Sequence, residues 1–185
     1  SANMDEDIQV EYLRQPVKEG EFSDVKYYWM QDDNHGFIPV QRITSSSDEI
    51  AQVKLPDQSV KTACNGGLLP ANSARFDKHE DMAELGELNE ATIVHSLKTR
   101  YQSGLVYTYS GLFLVAVNPY KPLPIYSPAI IEWFRGQPRQ ARPPHIYAVA
   151  DAALADMRKS HQNQAILITY PLALFSTQIK QITQM

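Results

Sequence analysis

The sequence predicts a chain in two parts: a small all-β barrel over residues 25–70, then an incomplete α/β unit over residues 71–169. Three observations predict it. In the first part, short runs rich in aromatic and β-branched residues alternate with turns built from Gly, Asn, Asp and Pro. In the second, apolar residues recur at helical spacing over residues 88–101 and 145–159. The second helical stretch leads into AILIT, Ala165 to Thr169, a short apolar run. A helix feeding such a run is the opening of a parallel α/β sheet.

Residues 1–24 are acidic and weakly patterned, and read as a loosely packed arm. Val25 to Met30 is a strand candidate, closed by the turn Asp32-Asp33-Asn34-His35-Gly36. Phe37 to Ile43 is the next, with Pro39 placed at an edge or a bulge because it has no amide to give. Thr44 to Asp48 is a polar turn. Glu49 to Leu55 is a half-buried strand, Pro56-Asp57-Gln58 a hairpin turn, and Ser59 to Cys64 a short strand. Asn65-Gly66-Gly67 turns the chain again before Leu68-Leu69-Pro70. The aromatics Tyr27, Tyr28 and Trp29 suit either a peptide-binding surface or the core.

Residues 71–86 form a polar connector. His79, Glu80 and Asp81 adjoin one another, but consecutive side chains point apart and no second cluster has matching spacing, so a metal is not expected. Leu88 to Tyr101 reads as a helix with Asn89 as N-cap, and Leu88, Ile93, Val94, Leu97 and Tyr101 as its apolar face. Leu105 to Tyr109 then pairs with the run from Leu112 to form a hairpin across Ser110-Gly111. Pro128 to Phe134 is a short helix stopped by Arg135-Gly136. Arg139, Arg142, Pro143 and Pro144 make a stiff basic connector, with Arg135 completing a small basic patch. His145 to Lys159 is a helix with Ile146, Val149, Ala150, Ala153, Leu154 and Met157 along one side.

Composition sets outer bounds. The chain has 185 residues, room for one domain or a small and a medium one. Net charge is -4, with -5 carried by residues 1–24, so nucleic acid is not expected as a partner. One cysteine, Cys64, rules out an internal disulfide and fits a reducing compartment. No apolar run reaches the roughly 18 to 20 residues that cross a bilayer, so no membrane contact is expected and the expected setting is the cytoplasm.

The stretch that carries chemistry is GLFLVAVNPYKPLPIY, Gly111 to Tyr126. Leu112 to Val117 reads as a strand buried on both faces. Asn118-Pro119 ends it, and Pro122, Pro124 and Pro128 stiffen the loop beyond. An amide, an aromatic ring and a cation are thus held at the end of a core strand. That suits a structural turn with a solvated lysine, or a place to hold a planar or anionic ligand.

Several long strings carry a family resemblance. FDKHEDMAELGELNEATIVHSLKTRYQSGLVYTYSGLFLVAVNPYKPLPIYS, IIEWFRGQPR, PPHIYAVADAA and NQAILIT occur in that order, and together they resemble the beginning of a class II type myosin heavy chain. The resemblance extends over residues 25–169. It implies a small all-β SH3-like barrel over 25–70, followed by an incomplete α/β P-loop motor-domain segment over 71–169, with a divergent tail over 170–185. It also implies that the loop of Asn118, Pro119, Tyr120 and Lys121 lies against the adenine of ATP. For the parent it implies ATP and magnesium as cofactors. Actin, myosin light chains and a second heavy chain are the implied partners, and the cytoskeletal myosin complex the implied setting.

One departure is decisive for this polypeptide. In the family, the strand matched by AILIT runs into a loop of the form GESGAGKT, whereas here Thr169 is followed by Tyr170-Pro171-Leu172. No G-x-x-x-x-G-K-[ST] occurs in the sequence. The backbone amides and lysine that cradle phosphates, and the hydroxyl that holds magnesium, are therefore not supplied. The switch segments, actin-binding region, converter and lever helix are expected beyond residue 185. Three readings remain open: a motor-domain piece that neither hydrolyses ATP nor moves, a non-catalytic protein-binding module on the barrel, and a product with no autonomous function. In the tail, Leu172, Phe175, Ile179 and Ile182 have the spacing of an amphipathic helix. No catalytic triad, carboxylate pair or redox dithiol offers an independent enzyme reading.

Overall fold

The computed structural model describes residues 26–45 and 49–169. The acidic arm expected at 1–24 and the tail expected at 170–185 lie outside them, as do residues 46–48 of the polar turn.

Five antiparallel strands form the first unit: β1 (Tyr27–Asp32), β2 (Gly36–Ser45), β3 (Ile50–Lys54), β4 (Val60–Cys64) and β5 (Leu68–Pro70). The β1–β2 turn is held by Asp32, whose Oδ1 accepts the amides of Asn34 at 3.1 Å and His35 at 2.9 Å. Gly36 closes it at φ +75°, a conformation that suits glycine. Pro39 lies on a central strand rather than at an edge. It pairs with Trp29 of β1, and β2–β3 pairing begins only at Gln41↔Lys54, so no β3 carbonyl waits for the missing amide. The ladder shifts register between Arg42 and Thr44. By strand alternation, Val40, Ala51, Val53 and Leu55 form one buried cluster, with Tyr28, Met30, Ile38, Ala63 and Leu68 packed against it.

The expected SH3-like barrel is not formed. The strand order is β4-β3-β2-β1-β5, an open sheet whose outer strands are β4 and β5. Closure would need a ladder between those two. The 3-10 turn Asn65–Gly67 instead carries the chain to the far edge, where β5 pairs with β1. With three residues and Pro70 at its end, β5 covers an edge without sealing the sheet.

The second unit holds α1 (Glu90–Gln102), the hairpin β6 (Tyr107–Ser110) and β7 (Phe113–Ala116), α2 (Pro128–Phe134) and α3 (Ile146–Ser160). Asn89 caps α1 as expected, accepting the Thr92 amide at 3.0 Å, and its side-chain amide donates to the Pro70 carbonyl at 2.8 Å. Ser127 caps α2, and Gly136 comes just after it at φ +66°. Val106, Ile125, Ile130, Phe134 and Ala148 make the second core, with Tyr107, Leu123, Trp133 and Tyr147 around it.

Three expectations fail here, for related reasons. First, α1 buries its apolar stripe only in part: Ile93 and Leu97 are half-buried, but Val94 is 54% exposed and Leu88 just ahead of the helix is 58%, while Ala91, Thr92, Ser96 and Arg100 are buried. Second, β7 is not buried on both faces. Among the described residues it has a single partner strand, and Leu112 and Phe113 are largely exposed. Third, the incomplete α/β sheet is not built. Residues 161–169 adopt no regular structure and are exposed, and no described strand lies beside 165–169 to pair with it. A parallel strand needs lateral partners and a layer over each face. The structure is an open antiparallel sheet, a separate hairpin and several helices.

Candidate functional site

The proline loop is suspended between two fixed points. At its entry, the Val117 amide donates to the Val106 carbonyl at 2.9 Å, extending the β6–β7 hairpin. The turn itself is an Asx turn: the Tyr120 amide donates to Asn118 Oδ1 at 2.9 Å. Tyr120 sits at φ +50°. A non-glycine residue there costs about 1 kcal/mol of steric strain, which the Asx bond offsets in part. Pro119 is half-buried, while Tyr120 and Lys121 are exposed, Tyr120 at 81%. Leu123 then returns to the second core and Ile125 is fully buried in it.

The exit is anchored on an aromatic hub around His145, which has no exposed surface. His145 Nε2–H donates to the Ile125 carbonyl at 2.9 Å, and Nδ1 accepts the Tyr147 amide at 3.1 Å. One nitrogen donates and the other accepts, so the ring is the neutral Nε2–H tautomer. Burial pulls its pKa down to about 4, opposed by the hydrogen bond to the Ile125 carbonyl. Phe134 stacks on the ring at 4.9 Å and 24°, and Tyr147, Tyr107 and Tyr126 surround it at 4.7, 5.0 and 5.7 Å. The Tyr107 and Tyr126 hydroxyls meet at 2.9 Å, and the Tyr147 hydroxyl donates to the Tyr126 carbonyl at 3.1 Å. Burial above all raises the Tyr107 and Tyr147 pKa values, so these phenols stay protonated.

Arg100 holds the hairpin beneath the loop entry. It is 3% exposed and has no carboxylate within bonding distance among the described residues. Its Nε donates to Thr108 Oγ1 at 2.9 Å, its Nη1 to the Lys78 and His79 carbonyls at 2.7 and 3.3 Å, and its Nη2 to the Tyr107 carbonyl at 2.7 Å. Burial lowers its pKa and Glu80 opposes the shift. His79, Glu80 and Asp81 serve structure. The His79 carbonyl receives Arg100, the Glu80 carbonyl receives the Tyr109 amide at 2.8 Å, and Asp81 Oδ1 accepts the amides of Ala83 and Gly111, each at 2.9 Å.

A groove of about 700 Å³ opens between this segment and the basic connector, bordered by Arg75, Lys78, Glu80, Asp81, Tyr109 and Arg139. Much of its charge is committed to packing. The Arg139 guanidinium lies 3.9 Å over the Tyr109 ring and donates to the Phe113 carbonyl at 3.2 Å. Arg142 lies over Trp133 at 4.6 Å, and Arg135 pairs with Glu132 at 2.6 Å. The basic patch is therefore three separate contacts. Of the β1 aromatics, Trp29 is buried and packs against His95 at 4.8 Å, Tyr28 packs against the sheet core, and Tyr27 is partly exposed.

Sequence reasoning placed the loop residues but missed what holds them. His145 read as the first residue of a helix, although its position after Pro143-Pro144 suits an N-cap. Nothing in the sequence singles out Arg100, and Tyr107, Tyr126 and Tyr147 share no periodicity.

Residues 79–170 match the family model of the myosin head (motor domain). The matched residues contain α1, the hairpin, the proline loop and its aromatic hub, α2 and α3. Over these residues the chain is similar to the myosin head. The wider resemblance, to a class II heavy chain with an SH3-like barrel over 25–169, is corrected: the match begins at residue 79, it names the motor domain alone, and the sheet ahead of it is open.

Proposed function

We propose that residues 71–169 form the first part of an ATP-driven, actin-based motor head, and that Asn118, Pro119, Tyr120 and Lys121 supply the wall against which the adenine lies. The observation that carries this is the placement of an exposed Tyr120 and Lys121 on a doubly anchored loop inside the matched residues. Asn118 commits its carbonyl oxygen to the turn, so it shapes the loop, and Pro119 restricts it. The Tyr120 ring offers a stacking face and Lys121 a cation for the phosphate side. ATP and magnesium are the ligands of the complete head. The 185-residue polypeptide lacks the phosphate-cradling motif and does not turn over ATP. Actin and light chains engage other parts of the parent, in the cytoplasm on the cytoskeleton.

Amide correlation spectra of the full chain, titrated with AMP and then ATP, test the loop assignment. Shifts confined to residues 118–126, with affinity in the millimolar range, support it. No perturbation there up to about 10 mM, a binding free energy near 3 kcal/mol, removes the adenine reading. Magnesium-ATPase assays with and without actin are expected to stay at background, and actin-stimulated turnover would refute the inactive assignment.

A further inference from the structure

We propose that His145 is the positioning residue of the proline loop: its two ring nitrogens couple the loop exit to the first turn of α3, so that the helix serves as a rigid mount for the loop. The ring is the buried polar link between them. Nε2–H reaches the Ile125 carbonyl at 2.9 Å and Nδ1 caps α3 through the Tyr147 amide at 3.1 Å. The other two links, from Tyr107 and Tyr147 to Tyr126, lie at exposed surface. Water can replace either of those without leaving a bare polar group. It cannot replace a bond from a side chain with no exposed surface, whose loss strands the Ile125 carbonyl in a core of Val106, Ile130 and Phe134.

Ring packing makes the coupling directional. Phe134 stacked on one side, with Tyr107 and Tyr147 around it, holds the imidazole plane, so neither nitrogen can turn away to water. The consequence for a ligand, that displacing this ring moves Tyr120 and Lys121 off the adenine, rests on the nucleotide reading above. The coupling does not.

The test uses the full chain and two complementary variants. His145→Asn keeps a short acceptor at a position where Asn is a favoured cap, and loses the reach to Ile125. His145→Gln keeps a donor of similar reach and loses the cap. Amide shifts and hydrogen exchange of residues 120–126 and of Tyr147 are read in both. The expected result is a split. In His145→Asn the loop signals move and exchange about ten- to hundredfold faster while the Tyr147 amide stays protected; in His145→Gln the pattern reverses. Loop signals unmoved in His145→Asn, or equal loosening of both regions in both variants, overturns the proposal. If neither variant folds, ring nitrogen spectra of the unaltered protein decide. A neutral ring protonated at Nε2 supports the coupling, and one protonated at Nδ1 overturns it. An AMP titration of the unaltered chain runs in parallel: absence of loop shifts there removes the nucleotide reading and leaves the positioning role standing.

Discussion

Replacing Arg100 by Met separates the two forces acting on α1. The guanidinium makes four short bonds, to Thr108 Oγ1 and to the carbonyls of Lys78, Tyr107 and His79, the last the longest. Met fills similar volume but satisfies none of them. Stranding a buried acceptor costs about 1–3 kcal/mol, and these acceptors relax together, so the costs do not add in full. Removing the buried charge returns part of its desolvation cost. The net expectation is a loss of about 3–4 kcal/mol, a large share of a stability near 5–15 kcal/mol. For a chain of this size that lowers the melting temperature by roughly 6–16 °C. Arg100→Lys keeps the charge but has no planar fork to span Thr108 and the carbonyls at once, and is expected to lose about 2 kcal/mol. Urea unfolding followed by circular dichroism measures both. An Arg100→Met midpoint within about 0.5 kcal/mol of the parent would refute the argument, because the buried cation would then be tolerated and not required.

Three other perturbations test the same geometry. Asn89→Ala removes both the α1 cap and the bond to Pro70, and is expected to lose about 1–2 kcal/mol by urea unfolding. His145 is held near pKa 4, below its unfolded value of 6.5, so above 6.5 it is neutral in both states and costs nothing. As pH falls from 6.5 toward 4 the unfolded chain takes up a proton that the folded chain refuses, and stability drops by up to about 3 kcal/mol. His145→Asn flattens that part of the pH profile, which unfolding midpoints at pH 7 and pH 4.5 will show. Tyr120→Gly relieves the positive φ, so thermal stability holds or rises by up to about 1 kcal/mol, while AMP-induced shifts in the loop disappear. Unchanged AMP shifts would take the Tyr120 ring out of the ligand contact.

The local parts of this molecule were legible in the residues. Asn89 caps α1 where the sequence places a cap, Gly36 closes the β1–β2 turn and Gly136 follows α2, both at positive φ, and the strands of the first unit fall between the turns that bound them. Each depends on neighbours within a few residues, so one stretch of chain contains the whole cause. The loop of Asn118 to Lys121 was legible for the same reason, because the Asx turn and the prolines are sequence-local.

Tertiary structure decided which faces meet. The apolar stripe of α1 was visible, yet the helix turns Val94 outward and Arg100 inward, because carbonyls from residues 78, 79 and 107 converge on a guanidinium with several donors to place. The runs at 112–117 and 165–169 read as buried strands. Burial of a strand is conferred by its neighbours, and β7 has one while residues 165–169 have none among the described residues. Barrel closure likewise depended on where three residues of β5 found their partner. Propensity, caps and turns act over a few residues, whereas rotation, closure and burial depend on groups far apart in the chain, and only the folded arrangement brings those together.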